Sequence, residues 1–137
     1  MSTYQDNGPQ DADTTEVNNA QAPRPAGAYS QGRGGAGLVW TAGFGPQDPA
    51  TGMVADDVAG QTRQVLRNVL AVLAQRGLDA SDVVKTTVHL QELKRDFAEF
   101  NAAYAEFFTA PYPVRTTVGS DLMNILVEID VVAVDRA

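Results

Sequence analysis

The last apolar run of the chain, residues 125–134, constrains the fold more than any other feature. It reads ILVEIDVVAV and predicts a β-strand, because it is rich in β-branched residues. Successive side chains of a strand point to opposite faces of its sheet. The odd-numbered positions from 125 to 131 are apolar, and so are most even-numbered ones apart from Glu128 and Asp130. Both faces of the sheet must therefore be covered.

Two segments carry apolar residues at helical spacing. The first begins at Asp56 or Asp57, either of which can cap a helix. It ends before Gly77, because glycine readily takes the left-handed backbone conformation that commonly ends a helix. The second spans residues 95–108. Each has one apolar stripe, so both helices are expected to pack on the same face of a sheet. The first stripe consists of Val58, Thr62, Val65, Leu66, Val69, Leu70 and Leu73, and the second of Phe97, Phe100, Tyr104, Phe107 and Phe108.

Strand-like runs account for the rest of the predicted domain. A Gly-rich turn at 34–37 precedes a run at 38–43 and indicates a tight hairpin, and further runs occupy 83–90 and 113–118. The order β-β-α-β-α-β-β predicts an α+β fold, with two helices packed on one face of a single sheet. The other face is left bare. An exposed apolar face of that size predicts a symmetric oligomer in which the sheets pack together.

The first 27 residues differ in composition from the rest of the chain. They are rich in Asp, Asn, Gln, Thr, Ala and Pro, and they contain no Leu, Ile or Phe. Such a segment cannot bury enough apolar surface to offset the entropy of ordering. The sequence therefore predicts a disordered tail over residues 1–27 and one folded domain over residues 28–137.

Composition argues against several classes of function. The net charge is −7 and no cluster of Lys and Arg occurs, so neither nucleic acid nor an anionic membrane is an expected partner. The chain has no Cys, which excludes disulfides, thiolate metal sites and Cys nucleophiles. It has neither an apolar run long enough to span a membrane nor a secretory signal pattern, so a cytoplasmic location is expected.

Arg115 and Glu128 each place a charge inside an otherwise apolar strand, where an unpaired charge is costly. One explanation is a binding site, because a fixed guanidinium can hold a substrate carboxylate through two parallel hydrogen bonds. The other is a structural ion pair between Arg115 and Glu128. Spacing alone leaves both explanations open. Three further residues have simpler interpretations: Trp40 as core, the single histidine His89 as a surface or interface residue, and Asp130 as a partner for an arginine across an interface.

Short motifs follow one another in order between Ala28 and Val134. They are AYSQG (28–32), TAG (41–43), DPATG (48–52), QTRQVLRN (61–68), DVVKTTV (82–88), FNAAY (100–104), PVR (113–115) and VEI (127–129). Each is weak alone, but together they resemble the RidA/YjgF family of reactive enamine/imine deaminases. The resemblance implies a chorismate-mutase-like fold and a homotrimer with active sites in clefts between subunits. The implied reaction hydrolyses 2-imino acids to 2-oxo acids and ammonia, without cofactor or metal, and limits damage by reactive metabolites.

The resemblance also implies roles for individual residues. Arg115 matches the arginine that binds the substrate carboxylate, and Glu128 matches the glutamate that orients and activates the attacking water. Tyr29 matches a tyrosine that lines the pocket. Asn101 matches the asparagine of a Phe-Asn motif on the second helix, where a structural hydrogen bond is the simpler interpretation. Gly43 matches the glycine whose backbone carbonyl faces the ligand.

Three departures from the family pattern bear on the pocket. Phe44 stands where many members have an amide side chain, and Thr117 stands where many have a cysteine whose backbone amide helps to hold the substrate. The loop at 119–124 is shorter than in many members, which would shift Glu128 relative to Arg115. These departures motivate an alternative to a broad-range deaminase, namely a pathway-specific or non-catalytic trimer that binds a small carboxylic acid. Ribonuclease activity has been attached to some relatives, and the acidic charge of this chain weighs against it.

Overall fold

The computed structural model describes residues 14–136 and contains two helices and one six-stranded sheet. A single turn of 3₁₀-helix, Ala80–Asp82, precedes the fourth strand. The helices are α1 (Val58–Ala74) and α2 (Leu93–Ala105). The strands are β1 (Thr15–Val17), β2 (Gly32–Gly35), β3 (Leu38–Thr41), β4 (Val83–Leu90), β5 (Val114–Gly119) and β6 (Val127–Val134).

The strands lie in the order β1-β2-β3-β6-β4-β5. All neighbouring pairs are antiparallel except β4 and β5, which are parallel and are connected through α2. This arrangement confirms the predicted α+β fold with two helices on a single sheet. The prediction missed one strand: β1 comes before the first strand of the predicted β-β-α-β-α-β-β order.

The prediction of a disordered tail is wrong for residues 14–27, and residues 1–13 lie outside the described part of the chain. β1 pairs with β2, and Val17 is only 1% exposed. The side chain of Gln31 orders the segment after β1, since its Oε1 accepts from Asn19 N at 2.7 Å and its Nε2 donates to Pro23 O at 2.8 Å. The segment is ordered because it uses the hydrogen bonds and the core of the domain, and it needs no core of its own.

α1 follows its sequence signals closely. Asp57 is the N-cap, and its Oδ1 accepts from Gly60 N at 2.8 Å. Beyond the helix, Gly77 has a φ of +72°, which is the left-handed conformation predicted there. The buried face of α1 packs against the sheet and includes Val65, Leu66, Val69, Val72 and Leu73.

α2 begins and ends earlier than predicted, and one residue of its aromatic stripe is misplaced. Phe100, Tyr104 and Phe108 are buried as expected. Phe97 is 40% exposed and is not part of the core. This position brings its ring beside Arg115, as described below.

The face of the sheet away from the helices, called here the open face, carries several exposed apolar side chains. Trp40 is 42% exposed, so its prediction as core is wrong. It alternates with the fully buried Val39, which takes the helix-covered side of β3. The other exposed apolar side chains of the open face include Val114, Val118 and Val134. Among residues 14–136, neither helix is long and apolar enough to cross a membrane.

Candidate active site

Arg115 and Glu128 lie on opposite faces of the sheet. Arg115 is in register with Thr86 on β4, which is fully buried under the helices, so the arginine shares the helix-covered face. Glu128 is in register with His89 on the same strand and faces the open side. Since β4 separates their two strands, the structure excludes an Arg115–Glu128 ion pair within one chain.

The guanidinium of Arg115 is held by α2. Its Nη1 donates to Asn101 Oδ1 at 2.9 Å, and its Cζ lies 4.7 Å from the centroid of the Tyr104 ring. The rings of Phe100 and Phe97 are 5.5 and 5.8 Å away. A cation packed over aromatic faces keeps a fixed plane while its remaining N–H groups stay available. Within residues 14–136, Arg115 makes no ion pair with a carboxylate, so its charge can serve an incoming anion.

Arg115 borders an open cavity of about 420 Å³. Asn101, Tyr104 and Tyr112 also line it. Tyr104 forms a hydrogen bond of 2.9 Å with Thr86 Oγ1. Burial raises the pKa of Tyr104, outweighing the opposing effects of that hydrogen bond and of the Arg115 charge, so the phenol stays neutral. The hydrogen bond from Arg115 to Asn101 shows that Asn101 positions the guanidinium. Thr117 lies two residues further along β5 and on the same face as Arg115.

Glu128 borders a second and larger cavity, of about 670 Å³, at the open face. Gly43 makes room for its carboxylate, because a Cβ at position 43 would lie 2.5 Å from Glu128 Oε2. The neighbouring Phe44 fixes this approach through a pair of backbone hydrogen bonds with Ile129, of 2.9 and 3.2 Å. Phe44 is only 5% exposed and packs in the core, although it also borders the cavity.

Tyr29 lines the same cavity as Glu128. Its side chain is half exposed, and its hydroxyl accepts from Ala26 N at 2.9 Å. The structure thus brings Tyr29, Gly43, Phe44 and Glu128 together in one cavity. Arg115 and Asn101 belong to the other.

Two residues of the Glu128 cavity were missed from the sequence. His89 and Ser120 both line it, and His89 Nδ1 lies 2.7 Å from Ser120 Oγ. The feature that could have identified His89 is the antiparallel register of β4 and β6, in which His89 lies directly opposite Glu128. That register is visible only once the pairing of β4 with β6 is known. Among the described residues, no cluster of His, Cys, Asp or Glu is suited to hold a metal ion.

Comparisons with known proteins agree with this fold. The model of the family described as endoribonuclease L-PSP matches residues 19–135. A 2-iminobutanoate/2-iminopropanoate deaminase of Salmonella typhimurium is 43% identical over 120 residues, which cover 84% of this chain and 93% of that protein.

Solved structures give the same result. The crystal structure of the YjgF gene product of E. coli superposes with a TM-score of 0.84 at 39% identity, covering 89% of this chain and 99% of that one. E. coli TdcF with bound serine gives a TM-score of 0.83 at 35% identity, covering 88% and 98%. The family model and these relatives each span most of the chain, and the chain therefore belongs to the RidA/YjgF family.

Proposed function

We propose that this protein hydrolyses reactive 2-imino and enamine acids to 2-oxo acids and ammonia. The observation that carries the proposal is Arg115, a cation fixed by Asn101 and Tyr104 with no carboxylate partner among residues 14–136. A deaminase of 2-iminobutanoate and 2-iminopropanoate among the relatives supports this class of substrate. The expected role is control of metabolite damage, and the cytoplasmic location stays a prediction.

The complete site requires a second copy of the chain. Arg115 and Glu128 occupy opposite faces, so they can act on one small molecule only if they come from different subunits. β5 lies at the edge of the sheet, which leaves Arg115 near the margin where a neighbouring subunit can dock. We therefore propose a homotrimer in which the open faces pack together. Each of its clefts combines the Arg115 side of one subunit with the Glu128 cavity of the next.

The proposed chemistry needs orientation and proton transfer, and it needs no side-chain nucleophile. Arg115 holds the substrate carboxylate through paired hydrogen bonds. Glu128 accepts a proton from water as the oxygen adds to the electrophilic iminium carbon, giving a tetrahedral amino alcohol. Protonation of the nitrogen then lets the C–N bond break, ammonia leaves, and the carbon–oxygen bond becomes the carbonyl of the 2-oxo acid.

The proposal predicts that Arg115→Ala lowers kcat/KM for 2-iminobutanoate by about 10²- to 10⁴-fold, because two charge-assisted hydrogen bonds to the substrate are lost. The imine is generated in situ and its loss is followed through a trapping agent. Arg67→Ala removes an exposed arginine of α1 and is the matched control. Loss of activity in both variants would contradict a specific role of Arg115. A native protein that binds 2-oxo acids without accelerating imine loss would favour the non-catalytic trimer.

The ribonuclease activity in the family's description is a second candidate, and we do not favour it for this chain. Binding to RNA rests on clustered cations that neutralise phosphates. The net charge of −7 opposes such binding. Incubation with a fluorescent single-stranded RNA is expected to leave the RNA intact. Cleavage that persists in Arg115→Ala would identify a separate activity.

A further inference from the structure

The hydrogen-bonded pair of His89 and Ser120 lies in the Glu128 cavity and has no part in the mechanism above. We propose that His89, held by Ser120, is the second acid/base of the site and exchanges protons with the nitrogen and oxygen of the tetrahedral intermediate. This inference rests on the proposed deaminase function and adds a catalytic residue to it.

The first support is the position of the imidazole relative to the proposed base. His89 and Glu128 are paired residues on adjacent antiparallel strands, and both line the cavity. Paired residues of this kind have Cβ atoms about 5 Å apart on the same face. Imidazole and carboxylate therefore flank the same small volume, as an acid/base pair acting on one carbon centre requires.

The second support is the way Ser120 is fixed. Its backbone N–H donates to Leu90 O at 2.9 Å, and Leu122 N donates to Gln91 Oε1 at 2.6 Å. The loop after β5 is thereby tied to the end of β4, next to His89. The Ser120 hydroxyl forms a hydrogen bond with Nδ1 of the imidazole, with an Oγ–Nδ1 distance of 2.7 Å. Nε2 is therefore the ring nitrogen that can contact a ligand.

Several of the elements around His89 contribute charged groups. β6 contributes Glu128 and Asp130, and β4 contributes Lys85. The loop after β5 contributes Asp121, and the segment before β2 contributes Arg24, both of which line the same cavity. On β5 the residue in register with His89 is Val118, which carries no charge.

Asp130, two residues along β6 from Glu128 on the same face, is partly shielded from water. Burial raises the pKa of Asp130, and the charges of His89 and Lys85 only partly oppose that effect. The imidazole thus lies beside carboxylates in a partly buried setting.

Glu128 and His89 each carry one of the proton transfers of the proposed reaction. Glu128 takes the proton released when water adds to the iminium carbon. The His89 imidazolium then gives a proton to the amino nitrogen, the C–N bond breaks, and ammonia leaves. A lone pair of the remaining hydroxyl oxygen forms the carbonyl, and the hydroxyl proton passes to His89, which restores the imidazolium. The proton on Glu128 leaves with ammonia as ammonium, so the sum is iminium plus water giving 2-oxo acid plus ammonium.

The test compares His89→Gln and Ser120→Ala with the native protein in the same imine assay, over a range of pH. His89→Gln is expected to lower kcat by about 10²-fold, to leave KM within about threefold, and to abolish one limb of the pH–kcat profile. Ser120→Ala is expected to lower kcat by about threefold to tenfold and to displace that limb. Thr87→Val is the control, because residue 87 precedes His89 by two on the open face and does not line the cavity.

A merely structural role is tested by chemical rescue. Free imidazole is expected to restore part of kcat in His89→Gly, while thermal unfolding and light scattering confirm that the assembly is intact. A His89→Gln variant with native kcat and an unaltered pH profile would overturn the inference, and so would a loss confined to KM. If the native protein is active and Arg115→Ala is inactive, either of these His89→Gln results rules out the role of His89 and leaves the proposed function standing. If the native protein accelerates no imine, the proposed function fails and this role with it.

Discussion

At the scale of single residues, the proposed chemistry depends on small features beside the charged groups. Arg115 is usable because an amide and aromatic rings hold it while leaving its charge unpaired within the described chain. Glu128 fits against the segment that follows β3 because the residue beside its carboxylate is Gly43. The identities of both charged residues were predicted from the sequence, since a charge in an apolar strand demands an explanation. Their supporting contacts were not predicted, because they join residues distant in the sequence.

Gly43→Ala tests the supporting role of Gly43. The added Cβ would lie 2.5 Å from Glu128 Oε2, so the carboxylate must move by about an ångström. We expect kcat for the imine to fall by about tenfold to 10²-fold, with a thermal unfolding midpoint close to that of the native protein. Gly34→Ala on β2 is the control, because the nearest atom there, at 3.1 Å, is the flexible end of Arg76. Full activity of Gly43→Ala would show that the position of Glu128 is not critical.

At the scale of elements, local signals located both helices and most strands. α1 begins at Asp57 and is followed by Gly77 because capping and left-handed stops depend only on nearby residues. α2 has a weaker N-terminal signal, since its N-cap Glu92 makes no capping hydrogen bond through its side chain. The predicted bounds of 95–108 therefore differ from the observed bounds, Leu93–Ala105. β1 was missed because its three residues are stabilised by pairing with β2, and the segment after it by Gln31. No local pattern encodes either interaction.

The C-terminal end of β6 is tied to the 3₁₀ turn by Arg136. Its Nε and Nη2 donate to the two oxygens of Asp82 at 2.7 and 2.9 Å, and Nη2 also donates to Gly77 O at 3.0 Å. The hydrogen bonds from Arg136 lower the pKa of Asp82 below its usual 3.8. A lowered carboxyl pKa stabilises the folded state above pH 3.8, and this contribution is lost as the pH falls through the pKa of the folded state.

We therefore expect Arg136→Ala to lower the urea midpoint of unfolding at pH 7 by roughly 0.3 M, a modest change because the arginine is exposed. The difference from the native protein should shrink progressively below pH 3.8, as Asp82 becomes protonated. Arg67→Ala is the control, because Arg67 hydrogen-bonds the neutral Gln64. An Arg136→Ala difference that stays constant down to pH 2 would contradict the pairing.

At the scale of the whole molecule, the placement of Arg115 and Glu128 on opposite faces makes the proposed oligomer part of the proposed chemistry. The open face carries Trp40, Val114, Val118 and Val134, which a lone subunit would leave in water. The oligomer was inferred from the sequence through the two-sided apolar run and the one-sided helices. The family resemblance implied sites between subunits, but the proposal that Arg115 and Glu128 come from different subunits rests on strand order, which no local pattern reveals.

Mixing two inactive variants tests the shared site. Arg115→Ala and Glu128→Gln are each expected to be nearly inactive, whereas trimers reassembled from equal amounts of both should regain about a quarter of native activity, because one combination in four unites both intact residues. Light scattering of the native protein is expected to give three times the chain mass. A native monomer at micromolar concentration, or mixtures as inactive as their components, would contradict a site built from two subunits.

Sequence patterns alone predicted the helices, the main strands, the packing of both helices on one face and the charged residues within the strands. These follow from periodicity and from short-range caps and turns, which act over a few residues. Tertiary structure alone decided that β1 joins the sheet, that Trp40 lies outside the core, and that His89 is hydrogen-bonded to Ser120 in register with Glu128. It also decided that Arg115 and Glu128 face opposite ways. These outcomes depend on the order and register of strands far apart in the chain, where pairing is selected by the energy of the whole sheet.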